Sequence, residues 1–198
     1  MKRCRYSRRR NIMISAPVIG IFGISGVGKS WLCGVITSRQ PKFLHLQASS
    51  LLRSALGMSG EQMRTASSSE IMMNQQALST ALLDARKGQE DRPVLLDAHS
   101  VIDNGIELVR IQPQDIQPLC LTKMLFVQED PQIIERRRSM DTRNRPKRTS
   151  KELEIHQIEA ESSCKAIATM LGIQLEFYQI SELDAIYSSL ETTLSSAG

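Results

Sequence analysis

Three observations predict an α/β fold, a mostly parallel sheet covered by helices on both faces. Apolar runs of strand length alternate with longer helical segments, a glycine-rich loop joins the first run to the first helix, and the third run ends in an acidic residue. Ligands of open α/β sheets bind beyond the carboxyl ends of the strands, so those ends are where chemistry is expected.

The strand-like runs fall at residues 18–22, 43–46, 94–96, 123–127 and 174–178, and the helix-like stretches at 29–39, 49–56, 70–87, 131–138, 150–171 and 182–194. The first run leads into Gly23-Ile24-Ser25-Gly26-Val27-Gly28-Lys29-Ser30, which fits G-x-x-x-x-G-K-[ST] in full and has a strand before it and a helix after it. Gly23, Gly26 and Gly28 allow backbone conformations in which successive N–H groups turn inward, and the helix start adds orphan donors and a positive dipole end. The pattern implies phosphate binding, with Lys29 reaching the β/γ-phosphates and Ser30 ligating Mg²⁺. Trp31 follows directly, and the sequence reads it as packing the first helix against the sheet.

After the second run, Ala48-Ser49-Ser50-Leu51-Leu52-Arg53 offers Ser49 or Ser50 as a helix cap and Arg53 one turn in. Arg53 and Arg64 together can clamp a second phosphate group, because guanidinium forks match phosphate geometry. The third run ends in Leu96-Asp97-Ala98-His99-Ser100. Asp97 is the candidate metal residue, since phosphate-loop proteins hold Mg²⁺ with an acid after a hydrophobic strand. His99 is either a substrate contact or a loop histidine with satisfied hydrogen bonds.

Residues 135–151 read ERRRSMDTRNRPKRTSK, the densest positive segment. It is either a basic RNA-binding surface or a lid, about residues 139–150, whose arginines close over a transferring phosphoryl group. Aromatics make up only 4% of the chain and none interleaves with this run, so base-stacking platforms are missing. Met58-Ser59-Gly60-Glu61-Gln62 resembles a transporter-ATPase signature, but it follows Ser30 too closely to leave room for that helical subdomain. No Asn-Lys-x-Asp run for guanine recognition is present, which argues against a GTPase.

At 198 residues the chain predicts one domain, and its 41% apolar and 23% charged content are ordinary for a globular protein. The net charge of +4 arises from the tail: Lys2, Arg3, Arg5, Arg8, Arg9 and Arg10 leave 19 basic against 21 acidic residues in the rest. Residues 1–12 are therefore expected to be a disordered basic tail, with a leader before a start at Met13 or a nucleic-acid arm as the alternatives, and 13–198 a single domain. A twin-arginine export signal is rejected, because cleavage would remove the strand that positions Gly23. No run of membrane-spanning length exists. Cys4, Cys33, Cys120 and Cys164 lack metal or redox spacing and read as reduced cysteines of a cytoplasmic protein.

The loop GISGVGKS, the strand end LLDAHS, and the segment Asp141-Thr142-Arg143-Asn144-Arg145 followed by His156-Gln157 resemble blocks of phosphate-loop nucleoside monophosphate kinases, and more closely archaeal-type adenylate kinases. The resemblance covers about residues 18–178. It implies a phosphate-loop, three-layer α/β/α fold with a five-stranded parallel sheet in the order 2-3-1-4-5 and a short arginine-rich lid. It also implies phosphoryl transfer from Mg²⁺-ATP to a nucleoside monophosphate, AMP foremost, with a nucleotide-dependent switch or RNA-associated ATPase of the same fold as the alternative. By position, Gly23, Ser25, Gly26, Val27, Gly28, Lys29 and Ser30 would bind ATP. Arg137, Arg143 and Arg145 would join Lys29 in catalysis, Ser49, Arg53, Arg64 and His99 would bind the acceptor nucleotide, and Ser30 with Asp97 would hold the metal. The sequence departs from the family at Ser25, where proline is common, at Ala48, where glycine is expected, and at Pro146, which replaces an acidic residue.

Overall fold

The computed structural model describes residues 16–142 and 145–195, with the side chain of Arg64 outside the described set. The basic tail of residues 1–12, and Arg143 with it, therefore lie outside the described residues. In chain order the elements are β1 Val18–Phe22, α1 Lys29–Arg39, β2 Leu44–Gln47, α2 Ala48–Leu56, α3 Gly60–Thr65, α4 Ser68–Ala85 and β3 Val94–Asp97. There follow β4 Val101–Asp103, β5 Leu108–Arg110, α5 Pro113–Ile116, β6 Leu121–Gln128, α6 Pro131–Met140, α7 Ser150–Leu171, β7 Gln174–Gln179 and α8 Leu183–Ser195.

The main sheet runs β2-β3-β1-β6-β7 with every pairing parallel, in a three-layer α/β/α arrangement. Counted among its own five strands, this is the expected order 2-3-1-4-5. The β4–β5 hairpin, which the sequence reading did not anticipate, only shifts the running numbers.

Burial explains the order. A strand paired on both edges and covered on both faces reads as one apolar run, and every residue of β1 (VIGIF) and of β3 (VLLD) is buried. The edge strands are more open: β2 is half-buried throughout, and β7 has exposed positions. Phe126 of β6 is fully buried and packs edge-on against Phe177 of β7, with ring centroids 6.0 Å apart. Lys123 of β6 enters the interior because Glu176 of β7 pairs with it at 2.7 Å, while Tyr178 donates to the same carboxylate at 2.7 Å.

Local sequence sets the helix ends. Thr149 and Glu152 form a capping box that starts α7, and Gly172 closes it in the left-handed conformation. Asp130 caps α6 with Pro131 in its first turn. At α2 the expected serine cap is absent: Gln47 is the N-cap, with no side-chain cap bond, and Ser50 instead donates to the Gln47 side chain at 3.1 Å. The helix begins one residue early, directly from the strand, so Ser49 already lies inside the first turn. Trp31 also departs from expectation, since it is 57% exposed and does not pack under α1. Cys33 and Cys164 are free and buried, but Cys120 is disulfide-bonded, which corrects the reading of four reduced cysteines. Among the described residues no helix is long and apolar enough to cross a membrane.

The contrast between the central and edge positions is measurable. Phe126→Ala should cost about 3–5 kcal/mol in urea unfolding, as for a fully buried ring, whereas Phe177→Ala at the edge should cost about 1 kcal/mol. Equal losses at the two sites would contradict this account of the sheet.

Candidate functional site: the phosphate loop and its surroundings

The loop leaves the buried strand β1 and turns within six residues into α1. Gly23 has φ 148° and a Cβ there would meet the Val127 carbonyl oxygen at 2.6 Å, so the loop lies flat against the end of β6. Gly26 has φ 91°, and a Cβ would press the aliphatic stem of Arg138 at 2.8 Å. Lys29, at the first position of α1, is buried and turns back under the loop. Its Nζ donates to the carbonyls of Gly23 at 2.9 Å and Ile24 at 3.2 Å, and lies 3.7 Å from Asp97. Burial pushes the Lys29 pKa down, with Asp97 opposing.

Strand register delivers the acid. Asp97 pairs with Ile21 of β1 and with Gln47 of β2, which places its carboxylate beside the start of α1. Ser30 Oγ donates to Asp97 Oδ2 at 2.6 Å. Burial alone would favour the protonated acid, but the Lys29 ammonium, helped by the neighbouring His45, His99 and Ser30, outweighs it and holds Asp97 well below the usual carboxylate range. A hydroxyl and an ionised carboxylate are the hard oxygen donors that suit Mg²⁺, which is bound through few protein ligands, so Ser30 and Asp97 fit that ion.

His99 is placed under the loop. Its Nδ1 lies 2.9 Å from the Gly23 carbonyl, an oxygen that only accepts, so the proton sits on Nδ1. Burial, then the Lys29 charge, lowers its pKa to about 3 and keeps the ring neutral. His45 of β2 was not anticipated from sequence. Its Nε2 is buried without a hydrogen-bond partner and stands 3.9 Å from Asp97 Oδ2. His45 also lines an open groove of about 370 Å³ with Leu46, Gln47, Ser50, Leu51 and Ser54. Arg53 reaches that wall, its Nη2 donating to Ser50 at 3.1 Å, while Ser49 is exposed. Arg64 lies on α3.

On the other side, α6 supplies arginines. Arg137 donates to the Val27 carbonyl at 3.0 Å and pairs with Glu129 at 2.8 Å. Glu129 is itself fixed by Gln157 of α7, which donates to its carbonyl at 2.9 Å and accepts from its N–H at 3.2 Å. Arg145 is 11% exposed, pairs with Asp141 at 2.7 Å, and lies close enough to lower the Lys29 pKa. His156 of α7 is buried, with Nδ1 unpartnered. The structure thus gathers Gly23, Ser25, Gly26, Val27, Gly28, Lys29, Ser30, Asp97, His99, Arg137 and Arg145 around one loop, with Arg53 across the groove.

A glycine loop of this form, opening a helix whose first two side chains meet an acidic strand end, defines a phosphate-loop nucleotide-binding protein with a kinase-type α/β/α fold. A family model described as "AAA domain" matches residues 22–154, and the chain belongs to that family. Among solved structures it is similar to the crystal structure of shikimate kinase from Bacteroides thetaiotaomicron, with a TM-score of 0.56 and 16% identity over 88% of this chain and 98% of that one. No curated protein matches this chain in sequence.

The buried histidines set a pH dependence. Burial lowers the pKa of both His99 and His156 from the ordinary 6.5, so the unfolded chain binds more protons than the folded one below that value. Stability should be full above about pH 7 and should fall as the pH drops through 6.5 toward the lowered folded values, about 3 for His99. Thermal melts across this range should show the decline, and His156→Gln should flatten part of it. A flat wild-type profile would contradict the buried neutral state.

Proposed function

We propose that the protein is an ATP-dependent nucleoside monophosphate kinase that transfers the γ-phosphoryl group of ATP to AMP. The observation that carries this reading is the position of the Ser30–Asp97 pair. It stands between the glycine loop with Arg137 and Arg145 on one side and the groove of His45, Gln47 and Ser50, with Arg53 at its wall, on the other. A loop that binds one nucleotide as a switch needs only the first of these halves. Phosphoryl transfer needs both, because donor and acceptor must be held in line.

In this reading the loop N–H groups and Lys29 hold the triphosphate, and Lys29 leaves the Gly23 and Ile24 carbonyls to do so. Bound Mg²⁺, held by Ser30 and Asp97, would supply charge neutralisation on the phosphates. Arg137 and Arg145 form the lid side, where the spread negative charge of the transition state is met by guanidinium groups, and Arg143 is assigned to it from the sequence alone. Arg53, with Ser49, belongs to the acceptor side, as does Arg64 by its place in the sequence, whereas His99 is held under the loop by the Gly23 carbonyl.

The basic segment supports a lid over an RNA surface. Arg137 pairs with Glu129, Arg138 and Arg148 with Asp103, and Arg145 with Asp141, so much of its charge is committed inside the protein. A second reading, a kinase of a smaller acceptor, is favoured by the likeness to a shikimate kinase over nearly all of that chain.

One panel separates these readings. With Mg²⁺-ATP, product chromatography over AMP, CMP, GMP, UMP, dAMP, dTMP and shikimate should show ADP formed in equal amounts from ATP and AMP. Lys29→Ala should abolish turnover, and Arg145→Ala should lower it by at least ~10²-fold, short of the ~10³–10⁵ of a full arginine finger because Arg137 remains. Turnover with shikimate alone would select the second reading, and no turnover with any acceptor would sink both.

A further inference from the structure

The β4–β5 hairpin lies outside the phosphate-loop machinery, yet it carries a buried acid that the proposed reaction does not use. Asp103, at the end of β4, has a side chain only 4% exposed. It accepts from Arg148 at 3.0 and 3.1 Å, from the Gly105 N–H at 3.0 Å, and stands 3.9 Å from Arg138. Arg148 also donates to the Gly105 carbonyl at 3.1 Å. Arg138, 7% exposed, lays its stem across Gly26 and donates to the Pro146 carbonyl at 3.0 Å, while its Nε and Nη1 have no partner. Residues 146 and 148, which flank Arg145 on its C-terminal side, are therefore both tied to Asp103, one through Arg138 and one directly.

The hairpin is itself anchored on the opposite side. Asn104 donates to the Ala66 carbonyl at 3.4 Å, and Glu107 accepts from Ser68 at the start of α4. Ser100, just before β4, donates to the Ala160 carbonyl of α7 at 2.9 Å. Asp103 thus sits on a support fixed to α4 and α7 rather than riding on the arginine-rich segment.

We propose that Asp103 is a positioning residue for Arg145. Through Arg148 and the Arg138–Pro146 bond it fixes the residues that follow Arg145, and so holds Arg145 next to the phosphate loop, where the Arg138 stem crosses Gly26. A buried carboxylate suits this role because both its oxygens accept from Arg148, each charge-assisted bond restricting direction as well as distance, while its charge offsets that of Arg138 at 3.9 Å. The inference rests on the reading of Arg145 as a triphosphate contact.

The test is a double-variant cycle read by calorimetric binding of Mg²⁺ and a non-hydrolysable ATP analogue. Asp103→Asn keeps the shape and one accepting oxygen but turns the other end into a donor facing Arg148. Asp103→Asn and Arg145→Ala should each weaken the analogue about tenfold, the loss of one charge-assisted hydrogen bond, and the double variant should bind no more weakly than Arg145→Ala alone. Wild-type affinity in either single variant, or single effects that multiply in the double, overturns the proposal. If Asp103→Asn does not fold, Arg148→Gln, which cuts the same tie from its more exposed side, takes its place with the same expected results. Because this readout needs no acceptor, a blank acceptor panel sinks the kinase reading and leaves the cycle standing. A wild-type protein without affinity for the analogue sinks both.

Discussion

The site is organised around a buried ammonium. Lys29 is packed beneath its own loop, where burial opposes its charge, and two loop carbonyls together with the more distant Asp97 replace the water it has lost. That arrangement requires the loop to fold tightly enough for the Gly23 carbonyl to face inward, which is why the chain has positive φ at Gly23. It also requires an ionised acid nearby, and the β1–β3 register supplies Asp97. A burial cost of this kind is retained where the charge has a task, since an uncommitted lysine would extend to solvent. The loop carbonyls are neutral partners for the ammonium, and a charged triphosphate can displace them.

The same reasoning applies to the arginines. Arg137, Arg138, Arg145 and Arg148 stand within a short stretch of chain, and their mutual repulsion would spread the segment unless acids were placed among them. Glu129 does this from the turn after β6, Asp103 from β4 and Asp141 from the end of α6. Each pairing also fixes a direction, and the result is a positive surface whose shape is determined by the protein interior. Anion binding to such a surface involves little reorganisation, which is the condition under which electrostatic stabilisation of a transition state is strongest.

Much of this was legible in the sequence. The limits of β1, α1 and α7 follow directly from the apolar run, the glycine loop and the Thr149–Glu152 capping box. Lys29, Ser30 and Asp97 carry a spacing and a context that make their meeting predictable. The hairpin was missed because its strands are three residues long, although Asn104-Gly105 between Val101-Ile102 and Leu108-Val109 is a turn signal of the kind that marks hairpins. Missing it concealed Asp103, and with Asp103 the reason for Arg138 and Arg148. His45 was hidden for a different reason. A histidine on a half-buried edge strand has no local pattern, and only the pairing of Gln47 with Asp97 reveals that β2 runs alongside the acid.

The two halves of the site are built from unequal materials. The phosphate side rests on β1, β3 and β6, strands buried almost throughout, where a change of one side chain is felt in the packing of several others. The groove side rests on the edge strand β2 and on α2, whose outer residues, Arg53 and Ser54 among them, are exposed. Substitutions there alter what the groove can hold without disturbing the core. A fold divided in this way can keep one phosphate chemistry while its acceptor changes. The loop residues are consequently the part that sequence patterns identify best, whereas the groove is lined by half-buried positions such as His45, Gln47 and Ser50, which packing constrains least.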